Sequence, residues 1–200
     1  MIQKPQGYDE AQAYTGEAMQ LPAGCYVCVI KQVNQVKTQN GRTQLAILFD
    51  IAEGDQKGFY KKQFDAAKQS GQNAKWKGVH KQIMDGSSVP FFKGLMTSIE
   101  KSNDGYFFPW GRENNEKTLE GKKFGAVMGR EEFLTQDGKR RFATKIFQVR
   151  SVDGLKGAEI PEDKLLTEEA ARTASAPQPT PDSDGFMKIP DGIDEELPFM

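Results

Sequence analysis

Cysteine and histidine side chains carry much of the redox, metal and nucleophilic chemistry of proteins, and this sequence holds very few of them. Its two cysteines, Cys25 and Cys28, have the CxxC spacing of a redox motif or of half a zinc site. They fall in a β-rich run, where residues three apart face opposite sides of a strand and their sulfurs diverge. His80 is the only histidine, so a zinc site lacks a second ligand pair. We therefore expect structural cysteines, and neither a metal nor a cofactor.

The sequence gives little support for catalysis. Ser/His/Asp and Cys/His arrangements would both depend on His80, which lies in a basic segment where a surface position or a phosphate contact is the commoner role. No GxxxxGKS/T or GxGxxG phosphate loop occurs, and the carboxylates are scattered without an acid/base pair. An enzyme that assembles its carboxylates in space is the least favoured hypothesis, and we predict a protein that is not an enzyme.

Binding is better supported, because basic and aromatic residues are interleaved. The segment from residue 57 to residue 93 contains eight lysines and only two acidic residues, Asp65 and Asp85. Such segments hold single-stranded nucleic acid, since lysines neutralise phosphates and rings stack on bases for about 1–3 kcal/mol each. Two predicted turns add further cations. The predicted nucleic-acid-binding residues are Lys31, Lys37, Arg42, Lys57, Tyr60, Lys61, Lys62, Lys68, Lys75, Trp76, Lys77, Lys81, Trp110, Lys139, Arg140 and Arg141.

A simpler explanation accompanies this hypothesis. Loop lysines often form only a solvated surface, and many rings must fill a core. We assign to the core Phe64, Phe91, Phe92, Phe124, Phe142 and Phe147. Trp76 and Trp110 lie in polar loops and are the better stacking candidates, although for any single ring core packing and base stacking stay open.

Two turn signals organise the predicted strands. Asn40-Gly41 joins two β-rich runs within Leu21 to Ile51, and Asp137-Gly138 joins a strand at Lys122 to Leu134 with one at Lys139 to Val152. Both pairs tolerate the positive φ of a type I′ hairpin turn. A third strand is predicted at Lys57 to Phe64, because its aromatic and basic residues roughly alternate.

Helical spacing appears between the third and fourth predicted strands. A short helix is predicted through Trp76, Val79 and Ile83, ending near Asp85-Gly86. A clearer helix follows Ser87 and Ser88 as N-cap candidates and ends near Asn103. One stripe of it carries the apolar residues Val89, Phe92, Leu95, Met96 and Ile99.

This order predicts a mainly β protein: a five-stranded OB-fold barrel with a helix and a helical excursion between strands 3 and 4. In that fold the β1–β2 and β4–β5 loops flank the face of strands 2 and 3, so the predicted cations would share one groove. A generic α+β domain with the same element order is the alternative.

Composition divides the 200 residues into three parts. Residues 1–20 form a polar N-terminal arm, 21–166 the predicted binding domain, and 167–200 a Pro/Ser/Asp linker with an acidic end. The last part holds eight acidic and two basic residues, so it carries −6 and the rest carries +5. We expect this tail to be disordered. No apolar run is long enough to span a bilayer and no secretory signal begins the chain, which favours the cytoplasm.

Three stretches remain: LPAGCYVCVI at 21–30, LEGKKFGAV at 119–127, and the acidic tip with Asp191, Asp194, Glu195, Glu196, Leu197, Pro198 and Phe199. Together they resemble the phage-encoded type of single-stranded DNA-binding protein. Met200 follows Phe199, whereas the family's terminal phenylalanine usually offers its own carboxylate. The tip needs carboxylates for steering and one aromatic ring for a pocket.

The resemblance implies an OB fold and sequence-independent binding of single-stranded DNA in phage or prophage DNA replication, recombination or repair, in the host cell cytoplasm. It also implies that the tip binds replication or recombination proteins and competes with DNA for the basic groove. Homo-oligomerisation and the choice between DNA and RNA are left open. The alternative function is a protein-interaction OB module that has no physiological DNA binding.

Overall fold

The computed structural model describes residues 3–5, 20–71, 74–135 and 137–167. Most of the predicted N-terminal arm, and the tail and tip beyond Thr167, lie outside these residues. The described chain is mainly β, with two α-helices. Its elements are β1 (Gly24–Lys37), β2 (Thr43–Ile51), α1 (Phe59–Gln69), β3 (Val79–Ile83), α2 (Val89–Lys101), β4 (Lys123–Leu134) and β5 (Arg140–Arg150), with short 3-10 turns at Gly86–Ser88, Asn115–Leu119 and Asp153–Leu155.

The five strands form one antiparallel sheet in the order β3-β2-β1-β4-β5. β1 is long because it pairs with β4 through its first half and with β2 through its second. A register shift between Ile30 and Gln32 marks the change of partner. Such bulges bend a strand and increase its twist. The part of β1 that pairs with β4 and the part that pairs with β2 therefore run in different directions. The edge strands of the sheet are β3 and β5.

Both predicted hairpins are confirmed, but their turns are not type I′. In each, the chain closes with a bond across three residues, from Thr38 N–H to Arg42 O and from Thr135 N–H to Lys139 O, both 2.9 Å. Among the described residues of these turns, only Gly41 and Gly138 have positive φ, at 74°. In the first hairpin this is the pattern of a type I turn followed by a left-handed glycine, which also suits antiparallel strands.

The predicted third strand at Lys57 to Phe64 is wrong, since α1 occupies this stretch. Phe59 and Tyr60 enter the core together, which a strand with alternating faces would prevent. The buried carboxylate of Asp50 in β2 also accepts the backbone N–H groups of Tyr60 and Lys61 at 3.0 and 3.3 Å. These are donors that the first turn of a helix leaves free, so a tertiary contact stabilises the helix here.

The predicted short helix through Trp76, Val79 and Ile83 is also wrong, because part of this stretch is a strand. Val79–Ile83 form β3, a short edge strand paired with β2, with His80 opposite Ile47. Five residues are too few for a clear period, and pairing with β2 decides their conformation. The helical excursion therefore lies between strands 2 and 3, and not between strands 3 and 4.

The predicted second helix is confirmed as α2, which buries Leu95, Met96 and Ile99 against the sheet. Ser88 precedes it, but no side-chain bond caps the helix. Of the rings assigned to the core, Phe124 is fully buried, and Phe64, Phe92 and Phe142 are half-buried. Phe91 and Phe147 are 67% and 37% exposed, so for them the core assignment is wrong. No helix in the described ranges is long and apolar enough to cross a membrane.

Candidate nucleic-acid interface

The two edge strands of the sheet line the same cavity, an open cleft of about 1280 Å³ that we call the edge cleft. β3 contributes Val79, His80 and Lys81, and β5 contributes the run from Arg141 to Ile146. Residues from both edge strands of the open sheet therefore line one cavity. The remaining lining residues are Gln20, Leu21, Phe49, Phe59, Tyr60, Gln63, Lys77, Arg130 and Phe133.

The charge of the edge cleft is one-sided. Five cationic side chains line it and, among the described residues, no aspartate or glutamate does; the cations are Lys77, Lys81, Arg130, Arg141 and Lys145. The hairpin of β4 and β5 supplies the last three, since Arg130 lies opposite Thr144 and Lys145 opposite Gly129. Cations that surround a concave surface concentrate positive potential there and attract polyanions.

Two of these cations have carboxylate partners outside the cleft. Arg130 forms an ion pair with Asp163, and Lys145 forms one with Glu131. Hydrogen bonds from Lys145 and Lys164 lower the pKa of Glu131. Lys77, Lys81 and Arg141 form no ion pair with any described residue, although the charge of Arg141 helps to lower the pKa of Asp137. They are therefore the cations of the cleft that are most available to a ligand.

Aromatic rings lie at two depths in the cleft. Phe49, Phe59 and Tyr60 are buried and pack edge-to-face at its base. Phe133 is 38% exposed, and the half-buried Phe142 lies under the guanidinium of Arg130 at 5.3 Å. Phe133 and Phe142 are therefore the rings placed to stack on a base, beside the cations that would hold its phosphates.

His80 is not the surface residue that the sequence suggested. Its partner Ile47 is fully buried, and side chains of paired residues share one face, so His80 faces the interior of the curved sheet. Burial lowers the pKa of His80, an effect that a hydrogen bond with Gln82 offsets only in part. Its Nε2 is buried and has no hydrogen-bond partner in the described chain.

Four of the sequence-predicted binding residues meet in the edge cleft: Tyr60, Lys77, Lys81 and Arg141. Four others are committed to nearby carboxylates, in the pairs Arg42–Asp85, Lys61–Asp65, Lys139–Asp137 and Arg140–Glu132. The remaining predicted cations are exposed and line no part of the cleft, namely Lys31, Lys37, Lys57, Lys62, Lys68 and Lys75. Only some of the predicted cations therefore lie together in the edge cleft.

The two tryptophans have different environments, and neither lines the cleft. Trp76 is half-buried, packs on Phe64 with ring centroids 5.8 Å apart, and donates its indole N–H to Phe49 O at 3.0 Å. Trp110 is 62% exposed and rests edge-on against Phe108 at 4.6 Å. Phe91 of α2 and Phe107 of the loop after it are also strongly exposed rings.

Sequence reasoning did not identify Arg130, Phe133 or Lys145, and it placed Phe142 in the core. The signal for them was available in the second hairpin. Strand pairing places Phe133 opposite the predicted Arg141, and Lys145 follows Arg141 on the same face. A register drawn from the confirmed turn would have brought these residues to the candidate site.

The cysteines show no arrangement for shared chemistry. Cys28 is buried in the core, and burial raises the pKa of its thiol. Cys25 is half-buried, and its Sγ lies 3.7 Å from the carbonyl oxygen of Ala158. Within the described ranges no three His, Cys, Asp or Glu side chains are grouped to hold a metal ion.

No model of a known protein family matches this chain, and a search of the curated proteins likewise finds no match.

Proposed function

We propose that this protein binds single-stranded DNA without sequence preference, and that the edge cleft is its binding site. The observation that carries the proposal is the lining of that cleft. Three cations without carboxylate partners and two accessible rings meet there, while no acidic residue of the described chain lines it. This combination neutralises phosphates and stacks bases, which are the two contacts that hold a single strand irrespective of sequence.

The dimensions of the cleft favour an extended polymer over a small molecule. Its volume of about 1280 Å³ exceeds the roughly 300–1,000 Å³ of ordinary ligand pockets. Six consecutive residues of β5, from Arg141 to Ile146, contribute to its lining. An open, positively charged cleft of this size suits a segment of a charged chain.

The sheet order supports an OB-type barrel as the scaffold. In β3-β2-β1-β4-β5, closure requires only that the two edge strands approach, and both already face the edge cleft. We propose that β3 and β5 complete a partly open barrel and that the strand of DNA follows their junction. The acidic tip around Phe199 would then bind replication or recombination proteins, as its resemblance implies.

A fluorescence anisotropy titration with labelled oligo-dT tests this function. The full chain should bind single strands more tightly than duplexes, and its affinity should fall linearly with salt concentration on logarithmic axes because counterions are released. A variant ending at residue 166 should bind more tightly, since it loses a net charge of −6. Affinity that ignores both salt and truncation would contradict the proposal.

A second candidate function is protein recognition, and a specific observation favours it. Phe91, Phe107 and Trp110 are 67%, 80% and 62% exposed, and exposed large apolar side chains can mark a protein-binding surface. If they bind a protein partner and DNA is incidental, the purified chain will ignore oligo-dT at every salt concentration. The same titration therefore separates the two functions.

A further inference from the structure

A second concave surface lies beyond the end of the edge cleft, between α2 and the last residues of β5. This α2 groove has a volume of about 550 Å³. Its lining includes Lys93, Thr97 and Lys101 of α2, and Arg150 and Ser151 at the end of β5. Neither the sequence patterns nor the proposed function assigned it a role.

The groove is positive and, in the described chain, no acidic side chain lines it. Lys93 and Lys101 are exposed and form no ion pair with a described residue. The guanidinium of Arg150 binds only the neutral Gln148 Oε1, at 3.0 and 3.2 Å, so its charge is not neutralised. The nearby Asp153 forms an ion pair with Lys156 at 3.3 Å.

The spacing of the cations suits a linear anion. Lys93, Thr97 and Lys101 are four residues apart, so they lie on one face of α2 over about 12 Å of helix axis. Between them an added Cβ at Gly94 would meet nothing within 4 Å, so the helix surface is open there. The groove therefore presents a row of donors that a chain of phosphates can follow.

β5 connects this groove to the edge cleft. Lys145 lies in the cleft and Arg150 in the groove, and five residues of strand separate them by about 17 Å. We propose that the α2 groove binds the sugar-phosphate backbone of the same single strand that occupies the edge cleft. The inference rests on the proposed function and extends its binding path over α2.

The lining also indicates which part of the nucleic acid would bind there. No aromatic ring of the described residues lines the groove, whose apolar members are Pro90 and Val149, so these residues offer no platform for base stacking. Serine and threonine hydroxyls stand beside the cations and can donate to phosphate oxygens. The groove would therefore add affinity and salt dependence, but no base preference.

The test compares a variant of the groove with a matched variant elsewhere, both in the full chain. Lys93→Gln/Lys101→Gln removes two charges from the groove. Arg112→Gln/Lys117→Gln removes two exposed charges that line neither cavity. Oligo-dT of about 5 and about 20 nucleotides are used, within and beyond the site sizes of about 4–16 nucleotides per OB domain.

We expect the groove variant to bind the long oligonucleotide at least fivefold more weakly than the control variant. Its slope of log affinity against log salt should be smaller by about 1.4, and the short oligonucleotide should be unaffected. Equal affinities of the two variants at both lengths would overturn the inference, as would an equal loss at both lengths. A difference that disappears when residues 168–200 are removed would overturn it too, because the groove would then bind the acidic tail. If the wild-type chain binds neither oligonucleotide, the proposed function itself has failed.

Discussion

Asp50 and Tyr60 are joined by a bond between a buried strand and the start of a helix. Oδ1 of Asp50 accepts the backbone N–H of Tyr60 at 3.0 Å and that of Ile51 at 2.9 Å, and Oδ2 accepts that of Lys61 at 3.3 Å. The residue is only 2% exposed. Its carboxylate is satisfied by main-chain donors, and it fixes the first turn of α1 beside the edge cleft.

Replacing this carboxylate should therefore be costly. Asp50→Ala leaves three main-chain N–H groups without their acceptor, at least one of them fully buried, and should lower the free energy of unfolding by about 3 kcal/mol. Urea denaturation followed by circular dichroism measures the change. Asp65→Ala is the matched control, because it removes only an exposed ion pair with Lys61 and should cost less than about 0.5 kcal/mol. Equal losses would show that the carboxylate does not stabilise α1.

Gly78 should resist any side chain, although its φ is not in the positive range. A Cβ there would lie 2.4 Å from Phe49 O and 2.6 Å from Cδ2 of Tyr60, where β2, β3 and α1 meet. Gly78→Ala should destabilise the protein by about 1–3 kcal/mol in the same denaturation experiment. Gly94→Ala, in the middle of α2 with nothing within 4 Å of the new carbon, should instead stabilise by about 0.5–1 kcal/mol. The two variants should therefore change the free energy of unfolding in opposite directions, and changes of the same sign would contradict this expectation.

The cations of the edge cleft should control the salt dependence of DNA binding. Lys77→Gln/Lys81→Gln/Arg141→Gln should weaken oligo-dT binding and reduce the slope of log affinity against log salt by about 2. The matched control, Lys57→Gln/Arg112→Gln/Lys117→Gln, makes the same change of charge on exposed residues that do not line the cleft. Anisotropy titrations at several salt concentrations compare them. Identical slopes would mean that only net charge matters and that the cleft is not the site.

Phe133 and Phe147 provide a matched pair of rings on the second hairpin. They are 38% and 37% exposed, but only Phe133 lines the edge cleft. Phe133→Leu should weaken oligo-dT binding by about 1–3 kcal/mol, the usual contribution of a stacked base, whereas Phe147→Leu should change it little. The titration is made at high salt, where phosphate contacts contribute less. A larger effect from Phe147 would place the bases outside the edge cleft.

His80 should make the protein less stable in mild acid. Because burial lowers its pKa in the folded state, the unfolded chain takes up a proton at a higher pH than the folded chain does. The contribution of His80 to the free energy of unfolding is therefore constant above the unfolded-state pKa of about 6.5, and it falls as the pH drops below that pKa. The difference in unfolding free energy between wild type and His80→Gln should change between pH 7.5 and 5.5, with the wild type losing more. Parallel pH profiles would contradict a buried, neutral imidazole.

Local sequence determined the elements whose signals are local. The turns at Asn40-Gly41 and Asp137-Gly138 place glycine where a left-handed residue is required, so both hairpins could be predicted. The apolar residues of α2 likewise recur at helical spacing over about three turns, so this helix could be predicted. The type of turn was missed, because asparagine and aspartate accept positive φ but do not demand it.

Only the tertiary structure decided what the segment between β2 and α2 becomes. Residues 57–64 have a pattern compatible with strand or helix. The buried carboxylate of Asp50, in the preceding strand, binds the first turn and favours the helix. β3 is too short to show a period and exists because β2 offers it an edge. The candidate site has the same origin: curvature of the sheet brings Lys77 and Lys81 to Arg141 and Lys145, some sixty residues later. Sequence supplies the charges and rings, but long-range pairing decides which of them share a cleft.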